Sequence, residues 1–208
     1  MIIVPKFELK YNEKKGVYTI ISLVPCKCPL CSGAVYHRDH KARDAKRLNG
    51  EVWHFRLRRL LCDNCDKLHT EIPDIIQPYK HYDSETIQSV LDGGEKAGDC
   101  VADNSTISRW KADFAEAEPD IEQRLASVYV QESDVKAPLL SAGLTFAAIR
   151  AAVGRWLAFV MRMLINNGHK LCTRFAFCPP QGCVSIQSAG RKRDGGHEKY
   201  DKTLDETG

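Results

Sequence analysis

Two Cys-x-x-Cys pairs, Cys28/Cys31 and Cys62/Cys65, lie thirty residues apart, and no other feature of the sequence restricts its folding as strongly. A Cys-x-x-Cys turn places two thiolates about one tetrahedral edge apart, so two such turns brought together by a hairpin form a closed four-sulfur zinc site. We therefore predict a zinc ribbon over residues 26–69 that binds Zn²⁺. Because a closed site leaves no coordination position for water or substrate, the predicted metal is structural and not catalytic.

The sequence predicts a metal site more firmly than it predicts which four residues are the ligands. A single Cys-x-x-Cys pair could be redox-active, but two pairs favour metal binding. Cys26 lies two residues before Cys28 and His69 lies four residues after Cys65, so either could replace a thiolate. Pro29 in the first turn favours Cys28 and leaves Cys26 as a spare.

Cysteine usage also indicates a compartment. The 208-residue chain has nine cysteines, and the apolar residues 1–4 are interrupted too early by Pro5 and Lys6 to form a secretory signal. An odd number of cysteines without a signal argues against a disulfide framework. We expect a cytoplasmic protein.

The charges fall in blocks along the chain. Residues 1–82 carry fifteen Lys and Arg against nine Asp and Glu, residues 83–135 carry four against thirteen, and residues 136–188 carry six against none. Such blocks suggest modules with different roles. We predict an α+β chain with a β-hairpin and zinc ribbon (1–82), a helix-turn-helix (83–118), a helical C-terminal domain (119–188) and a disordered tail (189–208).

The basic first block has β-sheet patterns. Residues 2–7 and 17–24 predict a hairpin, and residues 52–61 alternate between an apolar face and a cationic face. The apolar face contains Trp53, Phe55, Leu57 and Leu61. Basic residues also fill positions 37–47, before a turn at Asn49-Gly50. This ridge could contact a DNA backbone or could simply be the solvated side of the ribbon. The candidate contacts are Arg38, Lys41, Arg43, Lys46, Arg47, His54, Arg56 and Arg58.

From residue 83 the apolar period changes to that of helices. Ser84 is a candidate N-cap for a first helix, Gly93-Gly94 ends it, a short helix is predicted near 95–102, and a third helix over 106–117. This order is what a helix-turn-helix needs. The residues placed to read DNA are Ser105, Thr106, Ser108, Arg109 and Lys111. The segment is acidic, which opposes DNA binding, so a helical connector that packs on a partner stays open.

Five runs of residues carry a family resemblance. They are Cys28-Pro-Leu-Cys31, residues 56–65 ending in Cys62-Asp-Asn-Cys65, residues 68–74 with His69 and Pro73, Pro78-Tyr-Lys-His-Tyr82, and Ser105-Thr-Ile-Ser-Arg-Trp110. Together they resemble a bacterial domain of unknown function that joins a zinc ribbon to a helix-turn-helix. That domain is similar to the DNA-binding part of insertion-sequence transposases. The resemblance implies that the four cysteines ligate zinc and that the helix around Arg109 faces DNA.

The C-terminal block is apolar but not membrane-spanning. Arg150, Arg155 and Arg162 interrupt residues 139–167, which we predict to form a core helix that packs on the acidic block or on a second copy in a homodimer. A second metal site is conceivable after this helix, but its spacing has no Cys-x-x-Cys turn. Its residues would be His169, Cys172, Cys178 and Cys183.

The sequence favours a binding protein over an enzyme. Residues 136–188 contain no Asp or Glu, so they cannot supply the carboxylates of a transposase core, and other catalytic signatures are missing. We predict a zinc-dependent protein that binds double-stranded DNA, a transposase-related regulator or accessory factor. The alternative is a zinc-ribbon interaction module that docks a polymerase or recombinase. Nuclease activity would need a partner chain.

Overall fold

The computed structural model describes residues 1–129 and 145–169 as an α+β fold in which strands precede helices. The six strands are β1 (Ile2–Val4), β2 (Phe7–Asn12), β3 (Val17–Ser22), β4 (Val35–Lys46), β5 (Val52–Cys62) and β6 (Leu68–Pro73). The helices are α1 (Ser84–Asp92), a 3-10 helix (Glu95–Asp99), α2 (Asn104–Tyr129), α3 (Phe146–Ala152) and α4 (Trp156–Asn166).

Strand β5 is the centre of the sheet. The strand order is β1-β6-β5-β3-β2, and β4 also pairs with β5. Strand β4 is antiparallel to β5 along nearly its whole length, from Val35 opposite Cys62 to Lys46 opposite Val52. The other edge of β5 is shared by β3, which is parallel, and β6, which is antiparallel. This pairing brings Cys62 at the end of β5, and the turn that leads from it to β6, beside the start of β4.

The N-terminal hairpin uses different residues from those predicted. Strands β2 and β3 form the hairpin, with Phe7 opposite Ser22 and Asn12 opposite Val17. The earlier apolar run, β1, instead pairs in parallel with β6. Ile2, Ile3 and Val4 are all buried, which suits a strand covered on both faces better than an arm of an exposed hairpin.

The alternation along β5 changes phase. Phe55 and Leu57 are buried as predicted, but Leu60 is buried in place of Leu61. A β-bulge between His37 and Asp39 of β4 lies opposite this point. A bulge inserts one extra residue into a strand and bends it locally. At the same level, the buried positions of β5 change from odd numbers (Phe55, Leu57) to even numbers (Leu60, Cys62).

Helix α1 is where the sequence placed it, with one difference at its start. Asp83, and not Ser84, is the N-cap, since its side chain accepts a hydrogen bond from the Thr86 N–H. Gly93 ends the helix with a left-handed φ of 69°. The 3-10 helix lies within the predicted range 95–102, and α2 begins at Asn104, two residues before the predicted start at 106.

Helix α2 is longer than predicted and runs to Tyr129 with Pro119 inside it. It therefore passes through position 118/119, where we placed a domain boundary. A stripe of buried residues at helical spacing continues past that point and explains the extension: Trp110, Phe114, Ala117, Ile121, Leu125 and Val128. These residues belong to one hydrophobic core with residues of β1, β5, α1 and α4.

The single helix predicted over residues 139–167 is wrong. Two helices, α3 and α4, are separated by Val153–Arg155, and residues 139–144 lie outside the described part of the chain. Helix α4 packs against β1, α1 and α2 of the same chain. Eight of its eleven residues are buried. Since α1 and α2 belong to the acidic block, the structure agrees with packing on that block, one of the two predicted alternatives, and the homodimer stays a prediction.

Three further predictions concern the C-terminal part of the chain: the absence of a membrane span, the second metal site and the tail. No helix of the described residues is long and apolar enough to cross a bilayer. Cys172, Cys178 and Cys183 of the conceivable second metal site lie outside the described residues, as does the predicted tail at 189–208.

Candidate metal centre and basic surface

The four predicted cysteine ligands meet at the end of the β4–β5 hairpin. The sulfur atoms of Cys28, Cys31, Cys62 and Cys65 all lie within 4.8 Å of one another. The Cys28 and Cys65 sulfurs are 3.6 Å apart, and those of Cys31 and Cys62 are 3.5 Å apart. These distances are too long for disulfides, and all four cysteines are free thiols. They are close to the tetrahedron edge of about 3.8 Å that a Zn–S distance of about 2.3 Å gives.

The two Cys-x-x-Cys turns have the same backbone geometry. In the first, the Ser32 N–H donates to the Cys28 carbonyl at 2.8 Å, and in the second the Asp66 N–H donates to the Cys62 carbonyl at 3.1 Å. Ser32 and Asp66 both adopt a left-handed φ, 57° and 54°. This conformation reverses the chain directly after each pair, so the two turns present their thiols to a common point.

Gly33 lets the two turns approach each other. A Cβ atom at this position would lie 2.9 Å from the Asn64 Cβ, 3.2 Å from the Cys62 sulfur and 3.3 Å from the Cys31 sulfur. A side chain here would push the second turn away from the first. Gly33 was not among the predicted site residues, although a glycine two positions after a Cys-x-x-Cys pair is a visible signal.

The thiols differ in acidity. The Gly33 backbone N–H lowers the pKa of Cys31 to about 7, with help from the neighbouring thiols. At Cys65 the Lys67 backbone N–H acts in the same direction, but burial and the contacts with the other three cysteines raise its pKa to about 12. Four adjacent thiolates would repel one another strongly, whereas a divalent cation would neutralise much of their charge. The cluster could hold a metal ion, and four sulfur donors suit zinc.

The two alternative ligands lie outside the four-sulfur set. Cys26 donates its thiol hydrogen to the Glu71 carboxylate at 3.3 Å, so it is not a spare ligand of the cluster. His69 is buried, and its Nε2 atom lies 3.2 Å from the Cys28 sulfur. That distance is a contact between the ring and the thiol, which makes His69 a neighbour of the ligand set. Metal-site ligands are commonly oriented by such hydrogen-bonded neighbours.

Three of the predicted DNA contacts are engaged inside the protein. Arg43 donates to the backbone carbonyls of Gln77 and Lys80. Arg47 pairs with Asp83 and lies over the Trp53 ring. Their guanidinium groups hold the sheet to the segment before α1, and are not free for a ligand.

The third engaged arginine is Arg58. Its guanidinium forms a two-pronged pair with Glu71, at 2.6 and 2.8 Å, and Glu71 is only 1% exposed. A buried carboxylate needs such a partner, so this pair is structural.

The remaining predicted residues of the sheet are more accessible. Strand register places Lys46, His54 and Arg56 on the outer face of the β4–β5 hairpin, where all three are exposed. His54 contacts Asp44 at 2.8 Å, and Arg56 donates to His40 at 3.3 Å. Two further predicted contacts in β4 are exposed, Arg38 and Lys41.

The start of α2 also exposes most of its predicted contacts. Ser105, Ser108, Arg109 and Lys111 are exposed, and Thr106 is half-buried. The Asp103 carboxylate accepts hydrogen bonds from the Thr106 N–H at 2.8 Å and from the Ser105 hydroxyl at 2.5 Å. The anion position at this helix terminus is therefore filled by the protein itself.

Residues 79–82 lie between the end of β4 and the start of α2 in space, and they were not predicted as site residues. The Lys46 ammonium lies 5.7 Å from the centre of the Tyr82 ring, which meets the Trp110 ring edge-on at 5.0 Å. Arg109 is close enough to contribute to the lowered pKa of Lys80, for which burial is the main cause. Lys46 and Arg109, predicted separately as DNA contacts, thus lie around one segment.

The sequence comparisons concern this same region. The family model of a domain of unknown function, DUF6431, matches residues 28–110. The match begins at Cys28, includes the whole four-cysteine cluster and ends at Trp110 in α2. The DUF6431 match carries no link to transposases, so that relationship stays a prediction. No curated protein and no solved structure matches the chain.

Proposed function

We propose that this chain is a DNA-binding protein whose sheet is held together by a structural zinc ion. The observation that carries the proposal is that Lys46 at the end of β4 and Arg109 in the second turn of α2, 63 positions apart in the sequence, lie around the same short segment, 79–82. The zinc cluster closes the opposite end of the β4–β5 hairpin.

Zinc would act on the fold and not on a reaction. All four coordination positions would be filled by the sulfurs of Cys28, Cys31, Cys62 and Cys65, so the metal would have no position for substrate. It would join the loop before β4 to the turn between β5 and β6. The exposed cations of β4 and β5 would then be displayed on a hairpin of fixed geometry.

The acidic composition of residues 83–135 opposes DNA binding less than the sequence suggests. Asp83 pairs with Arg47, Asp113 with Lys80, and Asp120 with Arg124. Asp92 pairs with Arg150 of α3. These carboxylates offset cations of the same chain, while Arg109 and Lys111 at the start of α2 stay exposed. Helices α1 and α2 with the intervening 3-10 helix support a helix-turn-helix reading.

Salt dependence tests the proposal. We expect DNA affinity to fall steeply with rising salt, because each phosphate contact releases counterions. Lys46→Ala, Arg56→Ala and Arg109→Ala should each reduce the slope of log affinity against log salt by roughly one. Lys10→Ala is the matched control, since Lys10 is exposed on β2 at the far edge of the sheet. Equal slopes for all four variants, or no DNA binding at low salt, would contradict the proposal.

The metal is tested separately by elemental analysis. One zinc per chain is expected, and Cys62→Ser should abolish stoichiometric binding because Cys62 is fully buried in the cluster. Cys100→Ser should bind as the parent does, since Cys100 lies outside the cluster. A parent protein that holds no zinc would remove the structural half of the proposal.

The alternative, a protein-interaction module, has one observation in its favour. Leu30 at the tip of the first cysteine turn is 53% exposed and lines a groove of about 360 Å³ with Leu68 and Ile165. A polymerase or recombinase that binds this chain, with Leu30→Ala weakening the complex and no DNA binding at low salt, would favour this reading. A relation to transposases, as regulator or accessory factor, rests on the resemblance alone.

A further inference from the structure

A groove of about 460 Å³ lies between the first turns of α2 and residues 79–82, and we call it the aromatic groove. Its volume is in the range of pockets that hold small ligands. Tyr79, Tyr82 and Trp110 line it together with Arg109 and His81. It combines flat rings with cationic groups, a pairing found where proteins hold single-stranded nucleic acid.

The wall of the groove is rigid. Trp110 is 3% exposed, and its ring is met edge-on by the Tyr82 ring. Lys80 also lines the groove, and its ammonium pairs with Asp113 at 3.5 Å. Because these contacts lie within the protein, a ligand would meet a preformed surface.

Tyr79 stands at the rim in an unusual conformation. The Lys80 N–H donates to the Gln77 carbonyl at 3.4 Å, and Pro78 and Tyr79 are the two central residues of the turn. Tyr79 has a φ of 60°, at the position that usually takes Gly or Asn in a type II turn. The ring is nevertheless there and is 38% exposed. A bulky residue at a strained, exposed turn position indicates a role for its side chain.

The charges around the groove favour a phosphate. The Arg109 guanidinium is exposed and donates to the Thr106 hydroxyl at 3.1 Å, which fixes its direction. The Lys46 ammonium lies by the Tyr82 ring. The helix terminus is not the binding position, because Asp103 already caps it.

We propose that the aromatic groove binds an unpaired nucleotide, with its base stacked on Tyr79 and its phosphate held by Arg109 and Lys46. This inference rests on the proposed DNA binding and adds the class of DNA: a duplex that carries a single-stranded end or gap. A paired base hides its faces in the stack, whereas an unpaired base offers one to an aromatic ring. An acidic peptide would use the cations but has no comparable use for the ring.

The test compares a blunt duplex with the same duplex carrying a short single-stranded overhang, by fluorescence anisotropy on the full chain. We expect the overhang to bind about tenfold more tightly, the gain expected from one stacked base. Tyr79→Gly should abolish this gain without changing affinity for the blunt duplex. Glycine relieves the strained φ but also loses the packing of a ring that is 38% exposed, so melting temperature alone does not test the site. Unchanged affinity for the blunt duplex, measured on the same sample, separates loss of this site from loss of fold.

Three further variants complete the comparison. Tyr79→Phe keeps the ring and should keep the overhang preference, and Tyr79→Asn, which tolerates this φ, should lose it as glycine does. Tyr36→Ala is the matched control, because Tyr36 is also exposed but lies ten residues from Lys46 along β4. A 2-aminopurine base in the overhang should be quenched by the parent protein and not by Tyr79→Gly.

The outcomes separate this inference from the proposed function. Equal affinity for blunt and overhang duplexes overturns the nucleotide site and leaves DNA binding intact. An overhang preference that persists in Tyr79→Gly overturns the role of the ring. Failure to bind either DNA, with Tyr79-dependent binding of an acidic peptide, overturns both proposals.

Discussion

The side-chain amide of Asn166, at the end of α4, pairs with the backbone of Ile3 in β1 as a neighbouring strand would. Its Oδ1 atom accepts from the Ile3 N–H at 2.8 Å, and its Nδ2 group donates to the Ile3 carbonyl at 2.8 Å. Strand β1 is at the edge of the sheet, so these backbone groups face away from β6. One side chain thus gives both backbone groups of Ile3 a hydrogen-bond partner at the sheet edge and connects α4 to the sheet.

Replacing Asn166 should therefore loosen this connection. Asn166→Ala leaves both Ile3 groups without their partner, and we expect a loss of about 1 to 3 kcal/mol in the free energy of unfolding. Urea unfolding followed by fluorescence measures it. Asn104→Ala, at the exposed first turn of α2, is the control and should change stability little. A loss no larger than that of the control would show that the pairing contributes nothing.

Gly33→Ala should weaken metal binding. The new methyl group would collide with Asn64 and with the sulfurs of Cys31 and Cys62, so one turn must move. We expect zinc affinity to fall roughly tenfold or more, in line with changes next to metal ligands. Competition with a chromophoric chelator measures it. Gly94→Ala is a clean comparison, because a Cβ there meets nothing within 4 Å and its φ of −74° suits alanine. Equal affinities for the two variants would contradict the packing argument.

Glu71→Gln should destabilise the fold, because the Arg58 guanidinium would lose its charged partner beside the buried side chain. We expect a loss of about 2 kcal/mol, below the 3 to 5 typical of fully buried pairs, since Arg58 is one-third exposed. Asp39→Asn removes the similar partner of Arg59, but both of those side chains are 35% exposed and solvent screens the pair. Its effect should be much smaller. Similar unfolding midpoints for the two variants would argue against a structural role for Glu71.

The N-cap of α2 should give a pH-dependent contribution at low pH. Hydrogen bonds from Ser105 and Thr106 lower the pKa of Asp103 from 3.8 to about 2. A lowered carboxyl pKa stabilises the folded state above the unfolded value, and the contribution is lost as pH falls from about 4 through about 2. The difference in melting temperature between the parent and Asp103→Asn should therefore shrink across this window. A difference that stays constant from pH 5 to pH 2 would show that Asp103 is not the source.

The sequence located most secondary structure because its signals are local. The alternation of β5 up to Leu57, the Gly93 stop and the existence of a helix from about residue 106 depend on residues within a few positions of each other. The cysteine pairs are equally local, and the structure brings their four sulfurs together as predicted. Errors appeared where a distant neighbour decides the outcome, as in the pairing of β1 with β6 and the extension of α2 past Pro119.

The sequence by itself determined which four thiols come together in a cluster that could hold a metal ion, and it determined the order of strands and helices. Only the tertiary structure decided which basic residues are exposed. Arg43, Arg47 and Arg58 look like Lys46 and Arg56 in a list of residues, yet the first three are partly buried against backbone carbonyls or carboxylates, whereas Lys46 and Arg56 stay exposed. Whether a charge is exposed or paired depends on what folds against it, and local sequence does not contain that information.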